Sequence, residues 1–301
     1  MVITGPTGVG KTKVSIEVAD ILKGEIISCD SRQIYRGMDI GTAKPKKDQR
    51  KKVLHHLLDL AFPDQKFSAA DYAKEAKKKI KDVIKKGKIP VVVGGSGLYL
   101  RALCKGFFKG PKGDEKIRRE LKKEMESFGK NYLYLKLKQI DPEAALRIHP
   151  NDEHRIIRAL EVYELTGKKI SQFQKEGEYE PEEFEFVKVG LTLKRDKLYQ
   201  RIDQRVDQMI KDGLLGEVKQ LKKMGYSPEL LPLRTFGYKE LFSYLGGKID
   251  LGKAIELIKL NTRHYAKRQI TWFKKEKDII WLDAEKNNLV SEIVQIFSKN
   301  A

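Results

Sequence analysis

The sequence predicts an α/β fold: a doubly wound parallel sheet with helices on both faces, carrying a smaller, mainly helical insertion domain. Three observations predict it. A glycine-rich turn, Gly5 to Thr12, separates a short apolar run from a segment of helical spacing. Strand-like and helical segments then alternate as far as Lys105, the order that parallel strands joined by crossover helices require. Beyond Gly113 the pattern becomes charged and helical, until a strand-like run returns between Glu183 and Leu193.

Met1 to Thr4 is the first strand, and its shortness suggests that a few native residues precede it. Gly5-Pro6-Thr7-Gly8-Val9-Gly10-Lys11-Thr12 fits G-x-x-x-x-G-K-[ST], so the sheet is P-loop NTPase-like. The glycines let successive N–H groups turn around a phosphate, and the next helix offers its positive end to the same anion. Lys11 would put a charge on the terminal phosphate and the Thr12 hydroxyl would hold Mg²⁺. The loop predicts a pyrophosphate or polyphosphate ligand and leaves its identity open. A helix follows from Lys13 to Leu22, with Val14, Val18, Ile21 and Leu22 at helical spacing. Glu25 to Cys29 is the next strand. Ligand groups lie beyond the carboxyl ends of parallel strands, which places Asp30 near the phosphate site.

Val53 to Leu60 is expected to form another strand. Ser68 and Asp71 cap a helix running through Lys86 and closed by Gly87. Ile89 to Val93 is a buried strand, which Gly94 to Gly97 turn into a helix from Leu98 to Lys105. Gly106 to Gly113 then reads as a linker, giving a core of residues 1–112 and 191–301 around an insertion of 113–190. Within the insertion, Asp114 to Phe128 is a charged helix. Asn131 to Lys138 is ambiguous between strand and helix, because Leu133, Leu135 and Leu137 alternate. Asn151-Asp152 caps a helix through Leu165, stopped at Gly167. Ile156, Leu160 and Tyr163 form its apolar stripe, and Arg155 and Arg158 share another face. From Lys197 the chain is expected to be helical almost to its end, with Arg201 and Arg205 one turn apart.

Two later stretches carry basic and aromatic residues together. Leu233 to Lys239 surrounds a flexible glycine with groups suited to gripping a backbone and stacking a base. Arg263 to Gln269 is a dense basic helix, a pattern equally that of a solvated face. Across the 301 residues, 61 Lys and Arg against 42 Asp and Glu leave a charge of +19, which points to a polyanionic partner or to a Lys-rich surface. Hydrophobic residues at 40% and charged ones at 34% exclude a disordered chain. Cys29 and Cys104 form no framework or ligand pattern, so a reducing, cytoplasmic setting is expected. No signal-peptide pattern or long apolar run is present, so no membrane association is expected, and the protein is taken as a monomer.

Asp30-Ser31-Arg32-Gln33-Ile34-Tyr35-Arg36-Gly37-Met38-Asp39-Ile40-Gly41-Thr42-Ala43-Lys44-Pro45, spaced after the P-loop as it is, closely resembles the tRNA dimethylallyltransferase (tRNA isopentenyltransferase) family. The likeness continues in Gly94 to Tyr99, His149 to Asp152, Arg155 to Glu161, Arg201 to Met209, Arg234 to Tyr238 and Ala266 to Phe273, nearly the whole chain. The C-terminal zinc finger of eukaryotic members has no counterpart here, so the chain is similar to the bacterial form.

The resemblance implies a tRNA-processing transferase. A dimethylallyl group would pass from dimethylallyl diphosphate to the N6 amine of the adenosine immediately 3′ to the anticodon, in tRNAs reading codons that begin with U. The P-loop, elsewhere an ATP-binding motif, would then hold a prenyl diphosphate, with Mg²⁺ on Thr12. The resemblance makes Asp30 the general base and brings Thr7 and Arg205 to the diphosphate. It implies tRNA contacts at Asp30, Ser31, Arg32, Gln33, Ser96, Arg118, His154, Arg155, Ile156, Ile157 and Arg158. Further contacts fall at Arg234, Thr235, Phe236, Gly237, Tyr238 and Lys239, with Phe236 or Tyr238 a candidate to stack an everted adenine. Ser96 and His154 stand where threonine and glutamine are common. The insertion would embrace the anticodon stem-loop.

Plainer roles stay open for some of these residues. Asp30 could cap the next turn, Arg155 and Arg158 could pair with nearby glutamates, and Ser96 could serve a turn. Rival functions are a small-molecule or nucleotide kinase, an adenylate prenyltransferase acting on free nucleotide, and a non-catalytic RNA-binding protein with a P-loop switch.

Overall fold

The structure, a computed structural model, describes residues 1–107, 110–176 and 183–300. The elements run β1 (Val2–Thr4), α1 (Lys11–Ile21), β2 (Glu25–Ser28), α2 (Lys47–Lys52), β3 (His55–His56), α3 (Ala69–Lys85), β4 (Pro90–Val93) and α4 (Gly97–Lys105). Five helices follow: α5 (Glu115–Phe128), α6 (Lys130–Ile140), α7 (Pro142–Arg147), α8 (Glu153–Thr166) and α9 (Ile170–Glu176). The chain then returns through β5 (Lys188–Thr192), α10 (Arg195–Lys211), α11 (Leu214–Lys223), α12 (Tyr238–Leu245), α13 (Leu251–Phe273), β6 (Ile279–Asp283) and α14 (Leu289–Asn300). It divides into two compact units, Met1–Cys104 with Phe184–Ala301, and Lys105–Glu183.

In the first unit six strands form one sheet in the order β3-β2-β4-β1-β5-β6, parallel throughout. Alternation along the strands covers both faces. Ile3, Ile26 and Val91 pack with Val14, Val18 and Ile293 on one side. Val2, Ile27 and Val92 pack with Tyr72, Ile80 and Leu103 on the other. The consequence is the expected α/β fold with helices on both faces, and β1, paired to β4 and β5, lies in its centre. A third cluster, with Ile34, Met38, Leu214, Tyr238 and Ile258, ties the segment after β2 to α11, α12 and α13. Glu217 on α11 reinforces it. Its carboxylate accepts the N–H groups of Asp39, Ile40 and Gly41 and the hydroxyl of Tyr238.

The structure corrects two readings. The strand expected over Val53 to Leu60 shrinks to His55–His56, because Leu57 (φ 60°) and Asp59 (φ 57°) leave the extended region. The C-terminal part is also not helical throughout: Ile279–Asp283 forms edge strand β6, in register with Lys188–Thr192 of β5. Its short Ile-Ile-Trp-Leu run lies between long helices and was absorbed into their pattern.

The second unit is helical. The ambiguous segment at Asn131 to Lys138 is part of α6: Leu133 and Leu137, four apart, are buried, and Leu135 between them is 56% exposed. These leucines meet Leu121, Ile156 and Leu160 in one core. Asp114 caps α5 through the N–H groups of Lys116 and Ile117. Asp152 caps α8, and Gly167 closes it in the left-handed conformation (φ 69°).

Candidate active site

The glycine-rich turn leaves β1 and enters α1 at the middle of the sheet, where ligands gather in open α/β folds. Gly5 (φ 137°) has no room for a side chain, since a Cβ there would lie 2.5 Å from the Leu191 carbonyl. Gly10 (φ 107°) ends the loop at the N-cap of α1 without a side-chain cap, so the first N–H groups of the helix stay available to an anion. Lys11 Nζ donates to the carbonyls of Gly5 and Pro6, at 2.9 and 2.8 Å. Desolvation, and next the neighbouring Arg205 guanidinium, lower the Lys11 pKa to about 7 against the opposing pull of Asp30. Val9 turns its side chain into the core and presents only its backbone.

Arg205, from α10, donates to Thr7 Oγ1 at 3.4 Å and forms no ion pair among the described residues. A cation beside a cation, with no acid paired to either, is an arrangement that a polyanion completes. Arg201, one turn earlier, donates to the Val9 carbonyl at 3.4 Å and pairs with Glu285.

Asp30 follows β2. Its Oδ1 accepts the N–H groups of Arg32 (2.8 Å) and Gln33 (3.4 Å), so it does cap the next turn, and Oδ2 has no hydrogen-bond partner among the described residues. The cap uses only Oδ1. Ser96 Oγ accepts the Ser31 N–H at 2.9 Å and donates to Ser31 Oγ at 3.3 Å. The Gln33 amide donates to the carbonyls of Thr42 and Ala43.

A cavity of about 690 Å³, wholly within the first unit, joins these groups. Thr7, Gly8, Gly10, Lys11 and Thr12 line it from the loop, and Asp30, Ser31, Arg32 and Gln33 line it from the segment after β2. Arg205 adds to the wall, as do Arg234, Thr235, Phe236, Gly237 and Lys239. The Phe236 ring stands 5.0 Å from that of Tyr265, whose hydroxyl is pushed up by burial. Arg234 is exposed and pairs with Glu229 at 2.6 Å.

Three other predicted contact residues, Tyr238, Ile156 and Ile157, have buried side chains. Tyr238 is fully buried, its hydroxyl on Glu217 at 2.7 Å and its ring against Gly41, so it cannot stack a base. Ile156 and Ile157 lie in the helical core. In that unit Arg118 (2.8 Å) and Arg158 (2.6 Å) both bind the buried carboxylate of Glu161. Burial raises the Glu161 pKa, but the bonds from Arg118 and Arg158 overcome this and hold it below the usual value. Arg155 pairs with Asp152 at 3.3 Å, and His154 is exposed.

Sequence reasoning missed Gln269, Tyr265 and Glu217. A signal existed for Gln269: Thr262, Ala266, Gln269 and Phe273 lie on the buried face of α13, so a polar side chain falls at a core position. No cluster of three or more His, Cys, Asp or Glu suited to a metal exists among the described residues. Thr12 lines the cavity, and a hydroxyl-bearing residue there fits an ion that takes one protein oxygen and its other ligands from phosphates and water, as Mg²⁺ does.

Sheet and site together define a P-loop protein in which an anion cradle and a carboxylate from the next strand share one cavity. The IPP transferase family model matches residues 33–276. A tRNA dimethylallyltransferase of Thermotoga maritima is 53% identical over 280 residues, covering 93% of this chain and 90% of the relative. The tRNA dimethylallyltransferase 2 of Geotalea uraniireducens is 46% identical over 300 residues, covering 99% and 97%. Among solved structures, the full-length tRNA isopentenylpyrophosphate transferase of Bacillus halodurans superposes with a TM-score of 0.74 at 42% identity, covering 99% of this chain and 95% of that one. A eukaryotic dimethylallyltransferase acting on tRNA gives 0.84 at 33% identity, covering 99% and 79%. This chain belongs to the IPP transferase family.

Proposed function

We propose that this protein transfers a dimethylallyl group from dimethylallyl diphosphate to the N6 amine of the adenosine 3′-adjacent to the anticodon, in tRNAs reading U-starting codons. The observation that carries the reading is the shared cavity, lined by Lys11, Thr7 and Arg205 and also by Asp30, whose Oδ2 is free. An adenine N6 lone pair is delocalised into the ring, so the amine needs a base as it attacks. Asp30 accepts the proton while the N6–C1 bond forms and the allylic C1–O bond breaks. The carbon is cationic in that transition state, and negative charge collects on the departing diphosphate. Lys11, Arg205, the Thr7 hydroxyl and the N–H groups opening α1 stabilise it. Mg²⁺, held by Thr12 and the diphosphate oxygens, would offset the same charge when bound.

Reaching Asp30 requires the adenine to leave its stack, which costs a few kcal/mol. Phe236 beside Tyr265 offers the aromatic surface to offset that cost. Arg32, Arg234 and Lys239 supply cations around the cavity for the RNA backbone, and the exposed His154 and Arg155 supply polar surface on the helical unit. A cytoplasmic monomer is part of the same proposal. No helix among the described residues is long and apolar enough to cross a membrane. The test is incubation with labelled dimethylallyl diphosphate, Mg²⁺ and unmodified tRNA. Label in tRNA is the expected result. Label only in AMP marks an adenylate prenyltransferase, and ATP-dependent phosphoryl transfer with no prenylation marks a kinase.

A further inference from the structure

Donor and acceptor sides of the cavity come from different strands, and something must fix their separation. The Thr7 backbone N–H, on the diphosphate side, donates to Gln269 Oε1 at 2.8 Å. Gln269 Nε2 donates to the Gly95 carbonyl at 2.8 Å. The next residue, Ser96, accepts the N–H of Ser31, whose neighbour is Asp30. One amide therefore connects the loop that holds the leaving group to the turn that supports the base. We infer that Gln269 is a positioning residue for the transfer step, setting the distance between the reacting carbon and the amine.

Four further facts support this role. Gln269 is only 7% exposed, so its bonds form away from competing water. Its two partners are a backbone donor and a backbone acceptor, and a carboxamide satisfies both, whereas a carboxylate or a hydrocarbon does not. Gly95 leaves no space between them: a Cβ there would come within 2.3 Å of Gln269 Nε2. The Thr7 N–H is also engaged by Gln269 on this side, while the Thr7 hydroxyl is directed to Arg205.

The inference rests on the proposed transfer reaction, and its test separates the two. Gln269→Met keeps the length and removes both bonds. Single-turnover transfer with both substrates saturating is expected to fall at least about tenfold and towards a hundredfold, the range for a displacement near 1 Å, while both dissociation constants stay within about twofold. Hydrogen exchange at the Thr7 amide, which needs no catalysis, is expected to be protected in the wild type and fast in the variant. Gly95→Ala should reproduce the loss in the wild type and cost less in a Gln269→Ala background, where the displaced amide is gone and only the Gly5 carbonyl, 3.2 Å from that Cβ, is still crowded. An unchanged rate overturns the inference, as does a parallel fall of rate, both affinities and Tm, which marks a purely structural residue. If the wild type transfers nothing, the proposed function fails, and an unprotected Thr7 amide then overturns the brace independently.

Discussion

Lys11 and Arg205 form a pair of cations with no acid paired to either among the described residues. With its pKa lowered to about 7, Lys11 is partly deprotonated at neutral pH until an anion arrives. A diphosphate favours the charged ammonium and raises that pKa again, so binding takes up a proton wherever the free enzyme lacks one. Donor affinity is therefore expected to weaken as pH rises above about 7. Calorimetry in buffers of different ionisation enthalpy should show proton uptake there and none well below it. Arg205→Met should lower transfer by about a hundredfold and leave the melting temperature unchanged or raised, since a cation held beside another is removed. A lower melting temperature with transfer intact would contradict the leaving-group role. The site residues that sequence proposed and one cavity brings together are those whose chemistry is local. The cradle is eight consecutive residues, and Asp30 follows the strand one helix later. Gln269 acts on Thr7 from 262 positions away, and the basic residues around it concealed its inward side.

Among the elements, α11 and the turn after β2 show how a polar group serves the fold. Glu217 accepts four hydrogen bonds, one of them from Tyr238. Tyr238→Phe is expected to cost about 1 kcal/mol in denaturant unfolding and to leave tRNA affinity unchanged, whereas Phe236→Ala should weaken tRNA binding. In the helical unit, Glu161→Ala leaves Arg118 and Arg158 without their shared acceptor and should cost about 2 kcal/mol, read by thermal melting. Most helices were legible because caps and glycine stops are written locally, as at Ser68, Asp152 and Gly167. The two misread strands were set by tertiary pairing: His55–His56 exists through its register with β2, and Ile279–Asp283 through β5. The alternating leucines of α6 were resolved only by which of them the core covers.

At the scale of the whole molecule, the net charge of +19 and the cations around the cavity suit a partner that carries many phosphates. Arg234→Ala is expected to reduce the slope of log affinity against log salt by about one, measured by tRNA binding over a salt series. The parallel sheet brings the ends of β1 and β2 to one crevice, and that convergence puts the glycine-rich loop and the Asp30 carboxylate on one cavity. Single-turnover transfer by Asp30→Asn, with prenyl diphosphate and tRNA both bound at saturation, tests this most directly. The predicted result is a rate lower by about a hundredfold or more with both affinities retained. A wild-type rate in that variant would contradict it.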